Sequence, residues 1–182
     1  MNPDYIFKIC ILGQSGVGKT CFVRRLCYNT FDANTKETLG LDFYSYDLIL
    51  TIQEKEVFVT LSIWDFGSQE HFKNLFRYYI TGVNGLFLAF DLVNGQSLLN
   101  LKWWYDKLLE YNHEHIPIIL LGTKNDLAHN SPVKNIVDEN TIFSTLNEFK
   151  IKSYIRTSSK ENYNILQSFE KLVREILIYY EL

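Results

Sequence analysis

Apolar residues along this chain form short runs separated by polar and helical stretches. Three of the runs, at residues 5–12, 85–92 and 116–122, are as apolar as expected of strands that are buried on both faces, and a polar stretch at residues 53–56 predicts a hairpin between two others. The predicted strands are residues 5–12, 42–51, 57–65, 85–92, 116–122 and 153–156.

The segments between these strands carry apolar residues at helical spacing. Residues 20–28 predict a helix with Val23, Leu26 and Cys27 facing inward and Arg24 and Arg25 facing outward. Two further helical stripes are formed by Leu98, Leu101, Trp104 and Leu108, and by Ile165, Phe169, Leu172, Val173, Ile176 and Leu177. Strands alternating with helices predict an α/β fold: a six-stranded, mostly parallel sheet with helices on both faces and one antiparallel hairpin. Ligands of such sheets bind at the carboxyl ends of the strands.

Composition narrows the class without identifying it. The chain has 182 residues, which suffices for one domain with a sizeable core. A net charge of -3 predicts no overall attraction to nucleic acid or to an anionic membrane. The beginning of the chain resembles no signal peptide, and we therefore expect a cytoplasmic protein with three reduced cysteines.

Residues 13–20 read GQSGVGKT, which matches the phosphate loop G-x-x-x-x-G-K-[ST]. The match follows a predicted strand and opens a predicted helix, so backbone N–H groups and the helix N-terminus would face phosphate groups. Lys19 is expected to reach the outer phosphates, and Thr20 to offer its hydroxyl to Mg²⁺.

Residues 123–126 read TKND, and they end another predicted strand. The Asp126 carboxylate can accept hydrogen bonds from N1–H and the 2-amino group of guanine, whereas adenine offers no such pair of donors. Lys124 would lie along the plane of the base. In the later segment TSSK, at residues 157–160, a backbone N–H group would meet the guanine O6.

In these motifs and their order, the chain resembles a small GTPase of the Ras superfamily, most closely the Rab branch, over residues 6–178. This resemblance implies a P-loop NTPase G domain that covers the whole chain. WDFGSQEHF at residues 64–72 is similar to the Rab second switch WDTAGQERF, and LGLDF at residues 39–43 is similar to a Rab segment of the first switch. The implied nucleotide-binding residues are Gly13, Ser15, Gly16, Val17, Gly18, Lys19, Thr20, Cys21, Phe31, Thr38, Ser68, Thr123, Lys124, Asp126, Ser158, Ser159 and Lys160. The implied metal ligands are Thr20, Thr38 and Asp65, and Gln69 is implied to be the catalytic residue.

The resemblance also implies a mechanism and partners. Two switch segments would bind the γ-phosphate and Mg²⁺ and relax after hydrolysis, so that effectors, exchange factors and GTPase-activating proteins distinguish GTP from GDP. The implied biological role is membrane traffic. No cysteine lies near Leu182, so we expect no lipid anchor in the chain as it stands. A removed tail, or attachment to membranes through partners, stays open.

Two residues of the second switch depart from the pattern. Ser68 replaces the glycine whose N–H meets the γ-phosphate, and Phe66 replaces threonine. We therefore keep two hypotheses: a slowly hydrolysing switch, and a GTP-binding scaffold with little hydrolysis. A phosphate-loop kinase fits poorly, because the chain lacks an arginine-rich lid. The aromatic residues Phe72, Phe76, Tyr78 and Tyr79 are interpreted either as a partner surface or as core.

Overall fold

The computed structural model describes residues 2–67, 75–130 and 136–182. One sheet has the strand order β2-β3-β1-β4-β5-β6. Its β2–β3 pair is antiparallel, and its other four pairs are parallel. The strands are β1 (Tyr5–Leu12), β2 (Leu41–Ile52), β3 (Lys55–Phe66), β4 (Gly85–Asp91), β5 (Ile118–Thr123) and β6 (Ser153–Arg156). The predicted α/β fold, with a six-stranded and mostly parallel sheet, is confirmed.

Helices pack on both faces of this sheet because successive strand residues point to opposite sides. Ile9 and Ile11 of β1 join a buried cluster with the first and last helices, whereas Cys10 and Leu12 join a cluster on the other face. The helices are α1 (Lys19–Tyr28), α2 (Phe76–Ile80), α3 (Gly95–Leu99), α4 (Leu101–Glu110), α5 (Asn125–Asn130), α6 (Glu139–Glu148) and α7 (Ile165–Tyr179).

The predicted hairpin turn is shorter in the structure. Gln53 and Glu54 have φ angles of 47° and 67°, so they form the turn alone, and Lys55 and Glu56 continue β3. A two-residue turn with positive φ matches the twist of the flanking strands. Neither residue is the asparagine or glycine that normally marks such a turn, so the polar stretch predicted the hairpin but not which two residues form its turn.

The inward face of α1 contains the predicted residues, because Val23 is buried and Leu26 and Cys27 pack against the same core cluster, but it is wider than predicted. Phe22 is fully buried and stacks on Phe169 of α7, with ring centroids 4.9 Å apart, whereas Leu26 and Cys27 are only half-buried. Arg24 is exposed as expected, but Arg25 is half-buried and does not face solvent freely. The inner face of the helix therefore also includes Phe22, which the pattern did not indicate.

Three smaller features complete the description of the fold. On α4, Trp104 is 4% exposed and Trp103 is half-buried against the same core cluster. The cysteines are free thiols. Within the described parts of the chain, no helix has the length and apolar character needed to cross a lipid bilayer.

Candidate nucleotide-binding site

A cleft of about 540 Å³ opens at the carboxyl ends of β1 and β5. Most of the predicted nucleotide-binding residues line it: Ser15, Gly16, Val17, Gly18, Lys19, Thr20, Cys21, Phe31, Thr38, Thr123, Lys124, Asp126, Ser159 and Lys160. Gly13, Asp65 and Ser158 do not line the cleft but contact residues that do. Ser68 and Gln69 lie outside the described residues, so the roles predicted for them stay predictions.

The phosphate loop joins β1 to α1 with a left-handed residue at the helix boundary. Gly18 is the N-cap of α1 and has a φ of 101°, a conformation that side-chain-bearing residues rarely adopt. The first-turn N–H groups of α1 have no side-chain cap from this residue. They are therefore available to an anion, and the helix dipole adds partial positive charge at the same place.

Lys19 is 6% exposed and lies across the loop that precedes it. Its Nζ donates to the carbonyl oxygens of Gly13, at 2.8 Å, and of Gln14, at 3.0 Å. Burial lowers the pKa of Lys19 to about 8, although the negative charges of Asp65 and Glu37 oppose this shift. An ammonium buried so deeply is stabilised by an anionic ligand, so the position suits a phosphate chain.

Three oxygen-bearing side chains converge beside Lys19. The Thr20 hydroxyl oxygen lies 2.7 Å from the Thr38 hydroxyl oxygen, and the Thr20 hydroxyl donates to Oδ2 of Asp65. Asp65 is fully buried, and its Oδ1 has no hydrogen-bond partner within the described part of the chain. Burial raises the pKa of Asp65, while the hydrogen bond from Thr20 opposes the rise. Because hard oxygen ligands and an unpartnered carboxylate oxygen suit a divalent cation, these residues fit Mg²⁺.

The TKND segment, which carries the predicted base-reading residues, lies against the phosphate loop. The Thr123 hydroxyl lies 2.6 Å from the carbonyl oxygen of Val17 and 2.8 Å from that of Phe90, so it links β5 to the phosphate loop and to β4. The Lys124 ammonium pairs with the Asp91 carboxylate at 2.8 Å. Sequence reasoning did not include Asp91, because a single acid at a strand end carries no motif.

Asp126 is 7% exposed and points into the same cleft. Its Oδ1 accepts a hydrogen bond of 2.7 Å from the hydroxyl of Ser158, which is itself fully buried. The Ser158 hydroxyl also accepts from the N–H of Glu161. This hydrogen bond holds the carboxylate in one orientation at the wall of the cleft.

The segment between α1 and β2 closes one side of the cleft. Phe31 is 38% exposed at its edge, as expected of a ring that stacks on a base. Sequence reasoning missed the neighbouring lining residues Asp32, Ala33, Thr35, Lys36 and Glu37. The segment has no hydrophobic periodicity, and its shape depends on local bonds, such as that from the Thr35 hydroxyl to the carbonyl of Asp32 at 2.6 Å.

The second switch begins in the core. Phe66 is 2% exposed and makes edge-to-face contacts with Phe76 and Tyr79. Gly67 follows, and its N–H donates to the carbonyl of Gly40 at 2.7 Å. Of the four aromatic residues interpreted as core or as partner surface, Phe76 is fully buried and belongs to the core, whereas Tyr78 is 70% exposed. Phe72 lies outside the described residues, and the partner surface stays a prediction.

Comparison with known proteins identifies the family of the chain. The sequence model of the Ras family matches residues 8–178. The Ras-related protein Rab-1A of Dictyostelium discoideum is 32% identical over 178 residues, which cover 97% of this chain and 84% of that protein. The chain therefore belongs to the Ras family and is a GTP-binding small GTPase. Within that family it is Rab-like, as the switch segments indicated.

Proposed function

We propose that this protein is a magnesium-dependent guanine-nucleotide switch that hydrolyses GTP slowly and regulates membrane traffic. The observation that carries this proposal is a single cleft lined by the phosphate loop, the Thr20–Thr38 pair and the base-reading Asp126. We further propose that the whole chain forms one G domain. Effectors and regulatory proteins would bind its switch segments, and the traffic role rests on the similarity to a Rab protein.

Guanine would be selected by the Asp126 carboxylate, together with the Ser158 hydroxyl that bonds to it. The carboxylate accepts two hydrogen bonds from guanine, and the Ser158 hydroxyl holds it in place. Adenine would leave the carboxylate without its donors and present an acceptor to it, which costs about 1–3 kcal/mol or more for buried groups. Lys124, which is held by Asp91, would lie along the base with its aliphatic stem. The N–H groups of Ser159 and Lys160 would meet O6.

The phosphates would be bound by the N–H groups of the phosphate loop and by Lys19. Thr20, Thr38 and Asp65 would hold Mg²⁺, with Asp65 acting through a water molecule. The bound ion would neutralise charge on the β- and γ-phosphates. Thr38 belongs to the segment before β2, so a ligand that holds Thr38 beside Thr20 also orders that segment. Gln69 would position the attacking water.

One contact favours the alternative, a GTP-binding scaffold with little hydrolysis. Gly67 lies so close to the first switch that an added Cβ would be 2.5 Å from the carbonyl oxygen of Thr38. In other Rab-like proteins a glycine stands at the position of Ser68 and gives the backbone its freedom to turn. Here Gly67 would have to supply that freedom, but its close packing and its hydrogen bond to Gly40 limit the change in its backbone angles. A restricted Ser68 would hold Gln69 less well and slow the reaction.

The base assignment is tested by Asp126→Asn. The amide presents donors where guanine also presents donors, so we expect the affinity for GDP to fall by about 100-fold and binding of xanthosine diphosphate to appear. The matched control is Asp106→Asn on α4, an exposed aspartate that pairs with Lys102. Titration of both variants with both nucleotides measures the change. Unchanged GDP affinity in Asp126→Asn would refute the assignment.

A further inference from the structure

Arg25 reaches from α1 to the segment that carries the predicted O6 donors. Its Nε donates to the carbonyl oxygen of Ser159 at 2.7 Å, and one terminal nitrogen lies 3.4 Å from the carbonyl oxygen of Lys160. The other terminal nitrogen donates to Asn29, to the backbone oxygen at 2.9 Å and to the side-chain oxygen at 3.0 Å. The guanidinium thus joins two segments that are more than 130 residues apart in sequence.

These bonds fix the orientation of a particular peptide group. The peptide bond between Ser159 and Lys160 is planar, so its C=O and N–H groups point in opposite directions. When Arg25 holds the carbonyl oxygen of Ser159, it also sets the direction of the Lys160 N–H. A guanidinium is suited to this role because its donors lie in a rigid plane.

The inner side of the same loop is held independently. Ser158 exchanges backbone hydrogen bonds with Tyr163, at 3.1 and 2.9 Å, and its side chain bonds to Asp126. Those contacts and the hydrogen bond from the Glu161 N–H to the Ser158 hydroxyl hold the two sides of the loop, but none of them is made to the peptide group between Ser159 and Lys160, whose rotation needs a further constraint. Arg25 supplies that constraint from the side of α1.

Arg25 also holds the other wall of the base pocket. Asn29 is the C-cap of α1, with a left-handed φ of 51°, and it stands two residues before Phe31. Phe31 and Lys160 both line the cleft. One side chain therefore connects the segment that would stack on the base with the segment that would read its O6.

We propose that Arg25 is a positioning residue for guanine recognition, which acts by holding the Lys160 N–H toward O6. This inference rests on the proposed binding of guanine nucleotides. If Arg25 only capped the end of α1, the result would differ. Loss of its side chain would then weaken the binding of all nucleotides to the same extent.

The test compares Arg25→Gln with Arg24→Gln, since Arg24 is the exposed neighbour on the same helix. Three diphosphates serve as probes. GDP and inosine diphosphate both keep O6 and N1–H, and they differ in the 2-amino group that Asp126 would read. In 6-thioguanosine diphosphate, sulfur replaces O6 and accepts hydrogen bonds weakly, while the groups facing Asp126 are unchanged.

In Arg25→Gln we expect GDP affinity to fall by about tenfold, the scale of a lost hydrogen bond from a charged donor. The preference for GDP over 6-thioguanosine diphosphate should narrow by about fivefold, because much of the O6 bond is already lost. The preference for GDP over inosine diphosphate should stay as in the unmodified protein. Arg24→Gln should match the unmodified protein for all three ligands.

Arg25→Lys gives a second reading if the glutamine variant folds poorly. The lysine ammonium keeps a charged donor but cannot hold several oxygens in one plane. The preference for GDP over 6-thioguanosine diphosphate should therefore narrow in this variant too, but by less than in Arg25→Gln. The inference is overturned if both variants lose affinity for the three ligands in equal proportion, or if neither differs from Arg24→Gln. A different result, in which the unmodified protein binds ADP as tightly as GDP, would instead overturn the proposed function.

Discussion

Replacing Gly67 with alanine tests the close contact between the two switch segments. The Rab pattern WDTAGQERF carries alanine at this place, yet here a Cβ on Gly67 would lie 2.5 Å from the Thr38 oxygen and 2.7 Å from the Gly40 oxygen. Both are backbone atoms, so neither can rotate away as the end of a side chain would. The first switch must therefore move as a segment.

The size of the effect follows from these distances. Carbon and oxygen atoms approach to about 3.3 Å in weak contacts, so the Thr38 backbone must retreat by roughly 0.8 Å. The Thr38 hydroxyl now lies 2.7 Å from that of Thr20, and a shift of this size separates the two metal-facing hydroxyls. Overpacking of this kind costs about 1–3 kcal/mol. If the substitution destabilises the GTP complex by about 1–2 kcal/mol more than the GDP complex, the ratio of GTP affinity to GDP affinity drops about 5- to 30-fold.

The assay is a titration of Gly67→Ala with GTP and GDP at fixed Mg²⁺. Gly95→Ala is the control, because a Cβ at Gly95 has no atom within 4 Å and the residue lies at the start of α3. We expect the affinity ratio to fall in Gly67→Ala and to stay constant in Gly95→Ala. Equal ratios in the two variants would show that the first switch yields without cost and that the contact has no role in nucleotide discrimination.

Three other substitutions give separate expectations. Thr123→Val removes the hydroxyl that bonds to the carbonyls of Val17 and Phe90 and should speed GDP release about fivefold, as followed with a fluorescent GDP analogue; unchanged release would contradict the link. Thr20→Asn should weaken GTP more than GDP in a magnesium titration, and equal losses would argue against the metal role. Ser68→Gly should hydrolyse GTP faster in single-turnover assays, because glycine adopts positive φ without strain; the same rate in both proteins would mean that Ser68 is neutral.

The parts of this fold that the sequence predicted are those with strong local signals. The buried strands β1 and β4 are dense apolar runs, and the phosphate loop has a fixed spacing between a strand and a helix. Because parallel strands end at the same edge of a sheet, the motifs that follow β1 and β5 had to meet in one cleft. This geometry explains why residues far apart in sequence lie in one cleft in the structure.

The parts that were missed depend on tertiary contacts. Phe22 is buried because Phe87 and Phe169 lie against it, and neither neighbour is visible from the pattern of α1 alone. Arg25 looked like a solvent-facing residue, since its acceptor Ser159 lies at the other end of the chain. The lining residues between α1 and β2 form a loop without periodicity, and periodicity is the signal on which such predictions rest.

The most direct test of the account is competition for a bound fluorescent GDP analogue. GTP should displace the analogue, whereas ATP should need a concentration about 100-fold higher or more, because its base leaves Asp126 without donors. Removal of Mg²⁺ with a chelator should accelerate release of the analogue, since Thr20, Thr38 and Asp65 would lose the ion that joins them to the phosphates. Displacement by ATP at the same concentration as GTP, with release unaffected by the chelator, would contradict both the guanine site and the metal site.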